Sequence, residues 1–224
     1  WSDLDRKTKK QMHQIDFFST KDLPHRFSNI CCPKQTALAI SGRYLHANKV
    51  GEGIAQRSFV ASQAPLTEDY ETFWKAVLEF APIVFDLTTL QDQATGNVTK
   101  YYPEELNQTL KCGSISIKLI EVSDRTYTYQ IENGETGVVK KIKRFHYTDW
   151  KDYDGVALES LHFLVQKAET LSPNPEETLW VHCRAGVGRT GTLITALILK
   201  EKINCGEINK KNLSSSLVNT IVEL

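Results

Sequence analysis

The segment 178–198 constrains the fold of this chain more than any other part of its sequence. It opens with residues 178–181, an apolar and partly β-branched run that predicts a short buried strand. Apolar residues then recur at helical spacing through 193–198, which predicts a helix that begins near Gly188. The loop between them ends at a helix N-terminus, where unpaired N–H groups and the positive end of the helix dipole gather. We therefore expect this loop to bind an anion.

The loop carries a cysteine and an arginine separated by five residues, Cys183 and Arg189. We expect Gly186 and Gly188 to let the backbone turn its amides inward. Because a helix N-terminus lowers the pKa of a thiol from about 8.5 to roughly 3.5–7.5, we expect Cys183 to be a thiolate at neutral pH. The guanidinium of Arg189 presents a planar fork of donors that suits two oxygens of a phosphoryl group. The pattern predicts a thiolate nucleophile that attacks a phosphate ester.

The same pattern predicts roles for two neighbours of the nucleophile. We expect the Thr190 hydroxyl to donate to the sulfur when it leaves, and His182 to face away and orient the loop by hydrogen bonding. A buried structural cysteine beside a glycine-rich turn is the alternative. A zinc site at His182 and Cys183 is disfavoured, because adjacent residues seldom bind one metal and no Cys-x2-Cys or His-x3-His pair is present. We expect no metal and no cofactor.

Composition excludes several classes of protein. The 224 residues include 27 basic and 27 acidic side chains, and this neutral balance disfavours a general nucleic-acid binder. No apolar run approaches the roughly 18 residues of a membrane span, and residues 1–10 are too polar for a secretion signal. Five cysteines, an odd and small number, favour a reducing compartment, so we expect a cytoplasmic protein.

The remaining patterns predict one α/β or α+β domain, built on a mixed sheet with helices on both sides. Helices are predicted at 1–18, 70–80 and 156–171, and strands at 83–87, 113–122, 127–131 and 138–147. In the third helix the expected apolar face comprises Leu158, Leu161, Phe163, Leu164 and Val165. We expect the serines at 214–216 to cap a last helix, which has no stop signal and suggests a cut chain.

With these patterns in place, the chain resembles the tyrosine-specific branch of the protein tyrosine phosphatases. The resemblance is carried by six segments in the family's order: 43–48, 59–66, 73–74, 101–103, 145–150 and the signature 182–191. It implies a single domain over 1–224 with a highly twisted mixed sheet, and phosphotyrosine-containing proteins as partners. The sequence of residues 183–190 also resembles bacterial virulence phosphatases, and this similarity implies a bacterial origin and delivery into a host cytosol.

The resemblance implies a mechanism. Cys183 attacks phosphorus and forms a phosphocysteine, while Arg189 and the loop amides hold the phosphoryl oxygens, or a phosphate or sulfate ion. The binding residues of this loop are Arg184, which adds a positive charge at the rim, Ala185, Gly186, Val187 and Gly188. Asp152 is expected to protonate the leaving group and then to accept a proton from water.

The acid loop departs from the family's Trp-Pro-Asp pattern. Lys151 replaces the proline, and one residue is inserted before Gly155, so we expect a more flexible loop and slower turnover. Lys151 is also expected to pair with Asp152 and lower the pKa of that acid. Asp149 and Asp154 are the reserve candidates for the acid.

Three further positions follow from the resemblance. Phe27 is expected to form the aromatic wall beside the substrate ring, with plain core packing as its alternative, and Asn29 is expected to hold the substrate backbone. Asp92 is expected to brace Arg189. The family's glutamine loop, which positions water, is expected to be missing beyond Leu224. A phosphotyrosine-binding pseudophosphatase and a dual-specificity phosphatase remain the alternative functions.

Overall fold

The computed structural model describes residues 2–12, 15–19, 21–95, 98–151 and 155–223. Within these residues the strands are β1 (Ala37–Ile40), β2 (Arg43–Val50), β3 (Phe59–Gln63), β4 (Ile83–Asp86), β5 (Thr109–Cys112), β6 (Ile115–Ser123), β7 (Thr126–Asn133), β8 (Val138–His146) and β9 (Leu179–Cys183). The helices are α1 (Ser2–Met12), α2 (Tyr70–Phe80), α3 (Leu90–Ala94), α4 (Leu158–Leu171), α5 (Gly188–Asn204) and α6 (Leu213–Glu223), with one 3₁₀ turn at Thr67–Asp69. In the part of the chain that the structure describes, no helix combines the length and apolarity needed to cross a bilayer.

All nine strands join one mixed sheet in the order β1-β2-β3-β9-β4-β8-β7-β6-β5. The four central strands β3, β9, β4 and β8 are parallel, and the strands outside them pair antiparallel. The register places Gln63 beside Cys183, and Asp86 beside both His182 and His146. The carboxyl ends of the parallel strands therefore meet at one edge, where open α/β sheets bind their ligands.

Each face of the sheet is covered by helices. Alternate residues of a strand point to opposite faces. On β9, Trp180 packs in the core that includes α2, whereas Val181 packs in the core that includes α4 and α5. Val84 and Phe85 of β4 divide between the two cores in the same way. The predicted mixed sheet with helices on both sides is confirmed.

The N-terminal helix is shorter than the sequence predicts. α1 ends at Met12, and the chain near Phe17 is extended and forms an antiparallel bridge with Pro33. Phe18 N–H donates to the Cys32 carbonyl at 3.0 Å, and Lys34 N–H donates to the backbone carbonyl of Asp16 at 2.8 Å. These tertiary hydrogen bonds replace the helical ones, so the prediction of one helix over 1–18 is wrong.

Two helical details also differ from the predictions. On α4, Leu158 is 77% exposed and Phe163 is 39% exposed, whereas the buried positions are Leu164, Val165 and Ala168. Leu161 still packs against the core and Phe163 contacts the rings of Phe145 and Tyr147, so Leu158 is the one expected residue that leaves the apolar face. The serines at 214–216 lie inside α6 instead of preceding it, so they do not cap it.

Candidate active site

The nucleophile candidate Cys183 is the last residue of the central strand β9. Its side chain is 2% exposed. The backbone N–H of Gly186 donates to Sγ of Cys183 at 3.3 Å. The helix α5 begins five residues after the cysteine, so its N-terminal amides and positive dipole end lie close along the chain. An amide hydrogen and a helix N-terminus therefore lie on the loop that carries this sulfur.

Gly186 is required by both backbone conformation and space. Its φ is +81°, and a Cβ atom there would lie 2.4–2.6 Å from the backbone of Ser62 and Gln63 on β3. Only glycine accommodates both conditions. Gly188 differs, because its φ is not in the positive range and a Cβ there would meet nothing within 4 Å. The expectation that Gly188 also serves backbone freedom is wrong in this structure.

Arg189 lies in the first turn of α5 and is 3% exposed. Its Nη1 donates to Asp92 Oδ2 at 2.8 Å, to the Leu87 carbonyl at 2.8 Å and to the Trp150 carbonyl at 3.3 Å. Burial raises the pKa of Asp92, but Arg189 and the hydrogen bonds from Thr89 together lower it more, so the net pKa falls below its usual value. Asp92 also forms a capping box with Thr89 at the start of α3. The predicted brace between Asp92 and Arg189 is present, and it orients the guanidinium.

His182 is fully buried beneath the loop. Its Nε2 lies 2.6 Å from the hydroxyl of Tyr101, and its Nδ1 lies 3.3 Å from the Cys183 carbonyl. Burial lowers the pKa of His182 despite the nearby Asp86, and burial raises the pKa of Tyr101 well above its usual value. We therefore assign a neutral imidazole that accepts from Tyr101 and donates Nδ1–H to the Cys183 carbonyl. The expected hydrogen bond from His182 to the loop is present, and the structure adds a contact with Tyr101 that the sequence did not predict.

A buried ion pair supports the same region. Arg144 Nε donates to Asp86 Oδ2 at 2.9 Å, and both side chains are at most 1% exposed. Burial disfavours the charged carboxylate, but the charge of Arg144 and the hydrogen bond from the Thr88 hydroxyl hold the pKa of Asp86 far below its usual value. Asp86 also accepts from the amide and the hydroxyl of Thr88, at 2.9 and 2.6 Å. This pair anchors the start of the segment that supplies Leu87 and Asp92 to Arg189.

Sequence reasoning missed this ion pair, for a physical reason. Asp86 and Arg144 are 58 residues apart, and each lies in an otherwise ordinary strand pattern. The available signal was a single aspartate within the apolar run 83–87, which a buried strand tolerates only with a partner.

The expected hydrogen bond from Thr190 to the sulfur is absent. Thr190 is fully buried, and its Oγ1 has no hydrogen-bond partner among the described residues. A role for this hydroxyl when the intermediate breaks down stays a prediction.

A cavity of about 430 Å³ opens over the loop. Its lining includes Phe27, Asn29, Trp150, Val187 and Arg189, with Ala185 and Gly188 between them. Phe27 is partly buried and Asn29 is exposed. The structure thus brings both residues of the N-terminal segment to the nucleophile loop, and plain core packing does not describe Phe27.

The acid loop is described only in part. Asp152 and Asp154 lie outside the described residues, while Trp150 is buried and Lys151 is exposed. Asp149 accepts from Arg125 Nη1 at 2.8 Å and from the Thr148 hydroxyl at 3.0 Å. The hydrogen bond from Arg125 lowers the pKa of Asp149. A carboxylate held ionised in this way is a poor proton donor, which weighs against Asp149 as the acid.

Comparison with known proteins agrees with this geometry. The family model described as protein-tyrosine phosphatase matches residues 23–221. The chain belongs to the protein-tyrosine phosphatase family. Tyrosine-protein phosphatase 3 of Schizosaccharomyces pombe is 32% identical over 189 residues, which cover 76% of this chain and 61% of that protein. Human tyrosine-protein phosphatase non-receptor type 2 is 33% identical over 172 residues, covering 71% of this chain and 41% of that protein.

Solved structures of the family share the fold. The catalytic domain of human protein tyrosine phosphatase non-receptor type 18 superposes with a TM-score of 0.82 at 21% identity, covering 99% of this chain and 84% of that one. The phosphatase TcPTP1 of Trypanosoma cruzi gives 0.78 at 20% identity, with 99% and 84% coverage. The chain spans 61% or less of the curated relatives named above.

Proposed function

We propose that this chain hydrolyses phosphotyrosine in proteins through a cysteinyl-phosphate intermediate. The observation that carries the proposal is one loop that holds Cys183, with the Gly186 amide on its sulfur, and the guanidinium of Arg189, which Asp92 braces. A thiolate and a guanidinium on one helix-terminal loop match the charge of a phosphoryl group. The family assignment supports the same chemistry.

The first step transfers the phosphoryl group to the sulfur. The Cys183 thiolate attacks phosphorus, the S–P bond forms and the P–O bond to the tyrosine oxygen breaks. Asp152 gives its proton to the leaving oxygen. The loop amides from Arg184 to Gly188 and the Arg189 fork hold the three other phosphoryl oxygens, which is preorganised electrostatic stabilisation.

The second step releases phosphate. Water attacks phosphorus and loses a proton to Asp152, the S–P bond breaks and Cys183 returns as thiolate. The product is inorganic phosphate, and the same loop is the proposed site for a phosphate or sulfate ion. Neither step needs a metal or a cofactor.

Phosphotyrosine is the proposed substrate because an aromatic residue lines the cavity. Phe27 presents a ring at the wall, and Asn29 lies beside it with an amide that can hold a peptide backbone. A structural neighbour at 20% identity is described as PTPN18 in complex with HER2-pY1196 phosphopeptides, which supports phosphotyrosine-containing proteins as partners.

The test compares the parent protein with Cys183→Ser on phosphotyrosine, phosphoserine and phosphothreonine peptides. We expect the parent to release phosphate from phosphotyrosine alone, and the substitution to reduce the rate by more than about 10³-fold. Cys205→Ser is the matched control, since this exposed cysteine follows the opposite end of α5.

Other outcomes would contradict the proposal in distinct ways. Equal release from all three peptides indicates a dual-specificity phosphatase. Tight binding of phosphotyrosine without release by the parent indicates a binding protein that lacks turnover.

We also propose a cytoplasmic location. All five cysteines are free in the structure, which suits a reducing compartment. The relatives named above are eukaryotic, so the bacterial origin implied by the signature wording has no support from them. Fractionation of source cells with antibody detection tests the location.

A further inference from the structure

Arg184, the residue directly after the nucleophile, contacts the aromatic ring that lines the cavity. The guanidinium carbon lies 4.8 Å from the centroid of the Phe27 ring. This separation is within the ~6 Å range of a cation–π contact. Phe27 lines the cavity, and Arg184 is not among the described residues that line it.

Hydrogen bonds to the turn after β3 hold the two segments that carry Arg184 and Phe27. The Arg184 carbonyl accepts from the Ala64 amide at 3.2 Å. Arg26, which precedes Phe27, donates through Nη2 to the carbonyls of Ala64 and Pro65 at 3.0 and 3.1 Å. Its own amide donates to Gln63 Oε1 at 2.9 Å. The turn after β3 therefore ties the ring-bearing segment to the nucleophile loop.

The charge of Arg184 acts on a second cation nearby. Arg184 lies close enough to Arg26 to add to the lowering of that residue's pKa, which is due first to burial. Two neighbouring cations repel each other, and the negative face of an aromatic ring offsets this repulsion for Arg184.

We propose that Arg184 is a positioning residue that holds Phe27 as the wall of the cavity and so sets the preference for aryl phosphates. The inference rests on the proposed function, and it names how that site selects its substrate class. The guanidinium covers one side of the Phe27 ring and leaves the cavity side to the ring of the substrate. Removal of Arg184 then weakens binding of the aryl group and spares binding of the phosphoryl group.

The experiment measures the inhibition constants of two competitive inhibitors, phenylphosphonate and inorganic phosphate, with 4-nitrophenyl phosphate as the substrate. The proteins are the parent, Arg184→Met, Phe27→Leu, the double variant, and Arg184→Lys, which keeps the charge and loses the planar group. We expect Arg184→Met to raise the inhibition constant of phenylphosphonate about fivefold, and that of inorganic phosphate less than about twofold. In the Phe27→Leu background, the same change should alter either constant less than about twofold. Arg184→Lys should fall between the parent and Arg184→Met.

Two results would overturn the inference. The first is an equal loss for both inhibitors in Arg184→Met with full recovery in Arg184→Lys, which is the signature of a rim charge alone. The second is an undiminished effect of Arg184→Met in the Phe27→Leu background, which shows that the two side chains are not coupled. Thermal unfolding of each variant confirms that it is folded, and Arg184→Lys supplies the comparison if Arg184→Met is not.

Failure of the proposed function is a separate result. If the parent does not turn over 4-nitrophenyl phosphate, the hydrolase proposal fails. Calorimetric dissociation constants of the same two anions then still measure the coupling between Arg184 and Phe27.

Discussion

Gly186 shows how much of the active-site loop depends on single residues. The loop passes so close to β3 that the atoms of Ser62 and Gln63 occupy the space of a side chain. The same close approach points the Gly186 amide at the Cys183 sulfur. A single backbone conformation therefore joins the sheet to the nucleophile.

We predict that Gly186→Ala displaces the nucleophile loop from its contact with β3. The positive φ and the contact with β3 should lower the free energy of unfolding by about 2 kcal/mol or more. Displacement of the amides should lower kcat/KM for 4-nitrophenyl phosphate by about 100-fold. Urea unfolding and steady-state kinetics measure the two effects. Gly191→Ala is the control. The φ of this α5 glycine is not positive, a Cβ there would meet nothing within 4 Å, and alanine favours a helix. Equal behaviour of the two variants would contradict the prediction.

The segments that follow the central strands assemble the site at the scale of elements. The segment after β4 supplies Leu87 and Asp92 to Arg189, and the segment after β8 supplies the Trp150 carbonyl. Arg189 thus connects the nucleophile loop to the start of the acid loop. An acid among the few residues after Trp150 stays a prediction, and Asp149 is already bonded to Arg125.

We predict that the acid loop uses Asp152. Asp152→Asn should lower kcat for phosphotyrosine peptide by about 10²–10⁴-fold and remove the basic limb of the pH–rate profile. Asp149→Asn should change kcat less than about threefold, because it alters only an exposed ion pair. Rates for these two variants and for Asp154→Asn decide the assignment. A large loss at Asp154 alone would show that the acid lies two positions later in the loop.

Buried histidines make the stability of the whole molecule depend on pH. His46, His146 and His182 lie in or beside the two cores, and burial lowers the pKa of each below 6.5. The unfolded chain binds protons at these groups more readily than the fold does. Their contribution to stability is therefore complete above pH 6.5 and is lost as the pH falls below it. The lowered pKa values of Asp86 and Asp92 act in a separate window, because their contribution is lost only below about pH 4.

We predict that the free energy of unfolding falls between pH 7.5 and pH 5. Each histidine that stays neutral in the fold contributes a slope of up to about 1.4 kcal/mol per pH unit. His46→Asn should reduce the slope, since His46 is 8% exposed and its ring bonds the Ile30 carbonyl. His162→Asn is the control, because His162 is exposed on α4. Urea unfolding at several pH values gives the slopes, and a flat profile for the parent would refute the prediction.

The sequence by itself determined the features that depend on near neighbours. The helix 70–80 and the strand–loop–helix around Cys183 follow from apolar spacing and glycine positions, and the structure reproduces both. The family resemblance pointed to Asp92 and Phe27, and the structure brings Asp92 to Arg189 and Phe27 to the cavity. The catalytic and binding roles of the site residues stay predictions.

Only the tertiary structure decided which distant groups meet. It placed β9 between β3 and β4, paired Asp86 with Arg144, and set Arg184 against Phe27. It also ended α1 at Met12, where local pattern favoured a longer helix. These outcomes depend on which buried surfaces and charges complement each other across the fold, and no periodicity along a chain records that complementarity.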